Sequence, residues 1–339
     1  MDKNLLKETA QKMVARGKGI LAADESHPTC GKRFEALGIE NTSENRRIYR
    51  QMFFNSPDVE KYISGVILFD ETLRQSDDAG VPFPENLNAK GIVPGIKVDT
   101  GAKDLAGFPG EKVTEGLDGL RDRLAEYFEL GARFAKWRAV ITIGDGIPSE
   151  GCYMANAHAL ARYARLCQEA SIVPIVEPEV LMDGDHDIDV CDRVTTNALH
   201  LTFRQLEEQD VMLEGIVLKP SMIIPGTGAT AAGRDVVASR TVDCLKRTVP
   251  DAVPGIAFLS GGQSDEDATG HLDAMNKLGG HPWNLTFSYG RALQATAMKT
   301  WAGKAENLAA ASAAFMQRAR SNAAASTGEW DQTLEQSAS

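Results

Sequence analysis

Cysteine is scarce: five in 339 residues, at positions 30, 152, 167, 191 and 244, and none in a C-x-x-C pair. An odd, scattered set in a long chain excludes a disulfide scaffold and points to free thiols in a reducing compartment. The six histidines, at 27, 158, 186, 200, 271 and 281, show no metal-ligand spacing. No catalytic metal is therefore expected, and the helix histidines 158 and 200 read as structural. No run of 18 apolar residues occurs, so no membrane span is expected. The opening stretch MDKNLLKETAQKMVARGKG reads as a charged amphipathic helix and lacks the apolar core and small-residue cleavage site of a secretory signal. A cytoplasmic location is the expectation. Positive charge is in deficit, 36 Lys and Arg against 47 Asp and Glu, for a net charge of −11. That balance excludes a nucleic-acid binder and a protein of anionic membrane surfaces.

Apolar residues, by contrast, are ample at 43%. They gather in eight short runs at 19–26, 65–72, 92–99, 134–140, 172–180, 215–222, 255–262 and 284–291, with starts spaced roughly 27 to 46 residues apart. Each interval has room for a helix and two loops. The segments between read helical; GLDGLRDRLAEYFEL, for example, sets Leu117, Leu120, Leu124 and Phe128 on one stripe. Eight alternations without a composition break predict a parallel (β/α)8 barrel of the TIM type, with an open doubly wound sheet as the alternative. One domain over 1–325 is expected, with flanking N- and C-terminal helices. The polar stretch 326–339 is expected to form a mobile tail.

The runs lose their apolar character near their C-terminal ends. Residues two apart on a strand share a face. Asp24 and Ser26 therefore share one, as do Lys97 and Asp99, Lys136 and Arg138, and Glu177 and Glu179. Lys219, Ser260 and Arg291 close the last three runs. In a barrel these ends converge on one mouth, where active sites of this fold lie. Counting Arg33 from the first loop, six cations meet Asp24, Glu177 and Glu179, an excess of three in an acidic chain. An anionic small substrate, most simply a phosphate, is expected. The Ser260-Gly261-Gly262 turn, with Ser264 and Asp267 in capping-box spacing behind it, and Gly290 before the last helix both suit phosphate held at helix N-termini.

The run GIVLKPSM sets Lys219 at the end of a buried strand, and Pro220 keeps it extended. Neighbouring cations and burial favour the neutral amine, a nucleophile toward carbonyls that forms a Schiff base. Glu177 and Glu179 are candidates for the proton transfers, and Asp24 for taking a proton from the hydroxyl on a breaking C–C bond. That set suits retro-aldol cleavage of a ketose phosphate. Two other motifs carry less. DGDHDIDV (183–190) imitates a calcium loop but has Ile188 where glycine is needed, and reads as a helix-start loop. GTGATAAG (226–233) imitates a dinucleotide fingerprint in the wrong place and reads as a plain glycine-rich loop.

The stretches GKGILAADES, NRRIYRQ, GVILFDETL, GIKVDTG, FAKWRAV, PIVEPEVL, LEGIVLKP, FLSGGQS and LTFSYGRALQ together resemble class I fructose-bisphosphate aldolase, the Schiff-base type, over nearly the whole chain. The resemblance implies a TIM barrel, a homotetramer, no cofactor and no metal, and interconversion of fructose 1,6-bisphosphate with dihydroxyacetone phosphate and glyceraldehyde 3-phosphate. It implies that Lys219 is the Schiff-base lysine, Glu177 the general acid/base with Glu179 close behind, Asp24 the group at the C4 hydroxyl, and Lys136 an assistant in C–C cleavage, with Lys97 and Arg138 nearby. Ser260, Gly261, Gly262, Ser288, Gly290 and Arg291 would hold the C1-phosphate. Ser26 and Arg33 would face the C6-phosphate. The chain departs from animal relatives in the loop HPTCGKR after AADES, and its last tyrosine is Tyr289.

Other substrates in view are fructose 1-phosphate and sedoheptulose 1,7-bisphosphate. Other classes in view are a barrel lysine holding pyridoxal phosphate and a catalytically retired scaffold. The reading predicts a colourless protein whose activity survives EDTA. A pyridoxal chromophore in the visible spectrum, or strong inhibition by the chelator, would overturn it.

Overall fold

The computed structural model describes residues 1–335. In chain order its strands are β1 (Gly19–Ala23), β2 (Ile63–Leu68), β3 (Val93–Lys97), β4 (Gly101–Asp104), β5 (Lys112–Glu115), β6 (Phe134–Ile141), β7 (Val173–Val180), β8 (Val217–Leu218), β9 (Gly255–Phe258) and β10 (Asn284–Tyr289). Eight of them close a parallel barrel in the order β1-β10-β9-β8-β7-β6-β3-β2. All eight apolar runs become barrel strands. The pair β4 and β5 is an addition, an antiparallel hairpin between β3 and the helix Leu120–Glu129. Its exposed, charged residues Lys103 and Asp104 hide it from a search for apolar runs. On the helix that follows, Tyr127 rather than Phe128 is buried beside Leu120 and Leu124. The sixth run ends early as β8, only two residues long, because Pro220 has no N–H to extend the ladder.

Alternation along the strands builds the interior. Ile20, Ile67, Val93, Phe134, Val173, Ile175, Val217 and Ala257 form one apolar cluster inside the barrel. Leu6, Ala10, Met13 and Val14 join it from the N-terminal helix Lys3–Met13 and its end, and so stopper the barrel opposite the mouth. Asp2 caps this helix by accepting the N–H groups of Asn4 and Leu5. A second, larger apolar cluster lies between the strands and the outer helices, where Trp137 stacks on Tyr163 at 5.5 Å. The same alternation then carries the inner face upward into charge: Ile20 and Ala22 lead to Asp24, Phe134 to Lys136 and Arg138, Val173 and Ile175 to Glu177 and Glu179, and Val217 to Lys219.

The helix Leu308–Ala325 packs along the helices Arg291–Trp301 and Asp265–Leu278. The polar stretch after it, expected as a mobile tail, is laid against the protein through Glu335. Trp330 is buried, donates its backbone N–H to Asp273 at 2.9 Å and its indole N–H to Glu335 at 3.0 Å, and receives the Arg234 guanidinium over its ring at 5.3 Å. One large amphipathic ring anchors a segment that composition alone marks as loose. Residues 336–339, the remainder of that expectation, lie outside the described residues. The loop 183–187 leads into the helix Ile188–Glu208, capped by Asp187, as the sequence reading holds. The glycine-rich loop after β8 pairs with it through Gly226 N–H to His186 O and Gly228 N–H to Gly184 O, both 2.8 Å. Among the described residues no helix is long and apolar enough to cross a membrane.

The Phe134 ring fills the barrel because Gly65 and Gly95 leave room for it; a methyl group at Gly95 would collide with the ring. Gly95→Ala is therefore expected to cost about 1–3 kcal/mol in urea unfolding. An unchanged midpoint would show that the ring has space to retreat.

Candidate active site

The mouth is built from residues that continue the inner rows of β1, β3, β6, β7 and β8. At its floor Lys219 Nζ sits 3.1 Å from Glu177 Oε1. Glu177 Oε2 faces Lys136 Nζ at 3.3 Å, and Lys136 Nζ reaches on to Asp24 Oδ2 at 3.1 Å. The order Lys219, Glu177, Lys136, Asp24 is one unbroken chain of alternating charge. Lys219, Lys136 and Glu177 are each no more than 5% exposed. Burial of this degree is tolerated because every member has an opposite charge in contact; removing one partner from such a pair costs about 3–5 kcal/mol. Above this chain Lys97 Nζ pairs with Asp99 at 3.0 Å, Arg138 pairs with Glu179, and Arg33 pairs with Glu25.

These pairs change the charge balance expected from strand ends. Glu25 and Asp99 join Asp24, Glu177 and Glu179, so five carboxylates face the five cations Arg33, Lys97, Lys136, Arg138 and Lys219. The mouth is near balance rather than strongly positive. Lys219, expected among several cations, is in direct contact with the Glu177 carboxylate. In the sequence Asp99 reads only as a face-mate of Lys97. Glu25 was missed because strand alternation turns it away from Asp24, whereas the chain leaves β1 at Ala23 and has turned into the helix His27–Glu35 by residue 27.

A cavity of about 310 Å³ opens here, lined by Asp24, Ser26, Arg33, Lys97, Lys136 and Arg138 together with Glu25, Thr29, Asp99 and Gly290. Ser26 Oγ and Thr29 Oγ1 are 3.1 Å apart on its rim. Arg33 also donates to Gln294 at 3.1 Å, a residue with no signal in the sequence reading. The hairpin contributes Gly101 and Ala102 to the wall. Gly261 lies close to Glu179: a methyl group there would stand 3.2 Å from the carboxylate. Ser288 is buried beside Ile20 in the barrel register, and its hydroxyl has no partner. Ser260 is half-buried at the end of β9. Lys219, Glu177, Glu179, Ser260, Gly261, Gly262, Ser288 and Arg291 do not line this cavity. Gly262, at φ +74°, faces a separate cavity of about 450 Å³ under the loop 226–233, and Arg291 is exposed at the start of its helix. Among the described residues no group of three His, Cys, Asp or Glu is arranged to hold a metal ion.

Burial alone would raise the Asp24 carboxyl, but Lys136 and Lys219 outweigh it and bring it down to about 2. Burial likewise opposes the Lys136 charge, and Asp24, Glu177 and Asp99 outweigh it, so that this ammonium loses its proton well above the usual lysine value. A depressed acid stabilises the fold fully above its ordinary value of 3.8 and loses that contribution as pH falls through about 2. Asp24→Asn is expected to remove about one proton of uptake on unfolding over that window, worth about 2 kcal/mol. Urea unfolding at stepped acid pH tests it; an unchanged acid limb would mean that Asp24 is not coupled to the lysines.

With this geometry in view, the comparisons with known proteins converge. Residues 5–339 match the family described as fructose-bisphosphate aldolase class-I. The chain is 59% identical over 327 residues, 96% of its length and 98% of the other's, to a probable fructose-bisphosphate aldolase class 1 of Xylella fastidiosa. It is 53% identical over 336 residues, 98% of its length and 92% of the other's, to a muscle-type fructose-bisphosphate aldolase of Lethenteron camtschaticum. It is 53% identical over 324 residues, 95% of its length and 90% of the other's, to a cytosolic fructose-bisphosphate aldolase of Arabidopsis thaliana. Its fold superposes with a TM-score of 0.95 and 50% identity on the Plasmodium falciparum fructose-bisphosphate aldolase solved with TRAP and a small-molecule inhibitor, covering 97% of this chain and 95% of that one. The chain belongs to the class I fructose-bisphosphate aldolase family, lyases that reversibly cleave fructose 1,6-bisphosphate into dihydroxyacetone phosphate and glyceraldehyde 3-phosphate.

Proposed function

We propose that Lys219 carries this reaction as a Schiff base. The observation behind the reading is the contact of Lys219 Nζ with Glu177 at 3.1 Å at the buried end of an alternating charge chain. Glu177 is placed to take a proton from the ammonium, freeing the amine to attack the C2 carbonyl. The same carboxyl then returns a proton to the departing C2 hydroxyl, and the iminium forms with loss of water. Asp24 takes the proton of the C4 hydroxyl. The C3–C4 electron pair moves into the iminium as that bond breaks, and the C4 oxygen becomes the aldehyde carbonyl. Lys136, charged and in contact with both carboxylates, stabilises the negative charge passing between them. Protonation of the enamine at C3 and hydrolysis of the imine release the ketone half and restore Lys219.

Ser26, Thr29 and Arg33, with Lys97 and Arg138 across the cavity, are assigned to the phosphate on C6. Ser260, Gly261, Gly262, Ser288, Gly290 and Arg291 are assigned to the phosphate on C1, where backbone N–H groups at two helix starts favour an anion. Glu179 holds Arg138 in an ion pair and assists Glu177 in the proton transfers. Residues 1–325 are taken as one catalytic domain. A homotetramer in the cytoplasm, needing no metal and no organic cofactor, is the assembly proposed, by analogy with the family and its cytosolic members.

Borohydride reduction in the presence of dihydroxyacetone phosphate, followed by peptide mass mapping, tests the central assignment. A reduced adduct on Lys219 is expected, and Lys219→Met is expected to abolish turnover while the protein stays folded. An adduct elsewhere, or an active Lys219→Met protein, would reject the role.

A further inference from the structure

Two stretches, NRRIYRQ (45–51) and FDETL (69–73), have no part in the chemistry above, yet they supply a fully buried cation in contact with Glu25, the residue after Asp24. Arg50, on the helix Ser43–Phe54, has 0% of its surface exposed. Its guanidinium donates to the carbonyl oxygen of Glu25 at 2.6 Å and to Thr72 Oγ1 at 2.7 Å, and touches Cys30 Sγ at 3.7 Å. Its charge is shared between Glu25 at 3.9 Å and Glu71 at 3.8 Å. Glu71 in turn accepts both arms of Arg46, at 2.7 and 2.8 Å, and His27 lies 3.3 Å from it. Contacts thus reach residues 25, 27 and 30, which bracket Ser26 and Thr29. The one residue that joins Asp24 to Ser26 is held by its carbonyl to Arg50 and by its carboxylate to Arg33.

We propose that Arg50, backed by Thr72 and Glu71, is a positioning residue for the phosphate distal to the Schiff-base carbon. It fixes the Glu25 peptide so that Ser26, Thr29 and Arg33 all face the cavity. This rests on the assignment of those residues to the C6-phosphate. A charge-assisted hydrogen bond to a carbonyl, made by a planar fork that simultaneously meets Thr72, is a geometry a lysine cannot reproduce.

The test compares fructose 1,6-bisphosphate with fructose 1-phosphate, which lacks the distal phosphate, in steady-state kinetics. Arg50→Lys is expected to lower the ratio of kcat/KM for the bisphosphate over the monophosphate by about tenfold, through KM rather than kcat. Thr72→Val, which leaves the buried charge paired, is expected to move the ratio the same way by a smaller factor, and it decides the question if Arg50→Lys does not fold. Ser26→Ala reports on the underlying assignment. If Ser26→Ala lowers the ratio and neither other variant does, Arg50 has no positioning role. If Arg50→Lys and Thr72→Val lower kcat/KM equally for both substrates, the residue acts on the fold or on Asp24, and the proposal also falls. If Ser26→Ala leaves the ratio unchanged, the C6-phosphate assignment fails and the proposal with it.

Discussion

Two lysine ammonium groups taken almost wholly out of water are the constraint around which the mouth of this barrel is arranged. Desolvating each costs several kcal/mol even after relaxation. Barrel register worsens the problem by setting Lys97 beside Lys136 on adjacent strands. Carboxylates supplied from other strands and loops solve it. Glu177, on the neighbouring β7, touches both Lys136 and Lys219; Asp24 reaches Lys136 from the end of β1; Asp99 holds Lys97. The requirement for charge neutrality in a buried site thereby links the four groups proposed above to carry the aldol cleavage in one chain of ion pairs.

The dry site depends on what lies below it. Side-chain alternation fills the barrel with Val, Ile and one phenylalanine, and the N-terminal helix closes the far end with Leu6 and Met13. Low polarity beneath the lysines strengthens every ion pair above them. It also makes unpaired charge there costly. That is why five cations of the mouth each have a carboxylate partner, and only exposed Arg291 has none among the described residues.

Much of this was legible in the chain itself. Eight apolar runs at regular intervals mark eight strands, since a strand buried on both faces must be apolar throughout. The polar exceptions at Asp24, Lys97, Lys136, Glu177 and Lys219 stand out against those runs, and period two aligns them on one face. Other features left no such trace. The hairpin β4–β5 is polar and lies outside the barrel, so it makes no apolar run. Trp330 is a single residue in a polar stretch, and its burial depends on Arg234 and Asp273, far away in sequence.

By itself, then, the sequence determined which residue types could face the mouth, because only local periodicity and the cost of burying charge enter that inference. Who pairs with whom was decided by tertiary structure alone. The contact of Lys136 with Asp24 joins residues 112 positions apart, and the contact of Arg33 with Gln294 joins residues 261 apart. Barrel closure brings β1 against β10 and fixes the stagger of each strand on its neighbour, a global condition that no short stretch contains. Arg50 illustrates the second half. The sequence shows only an arginine within NRRIYRQ; its burial and its hold on the Glu25 carbonyl exist only once helix, strand end and loop have closed around it.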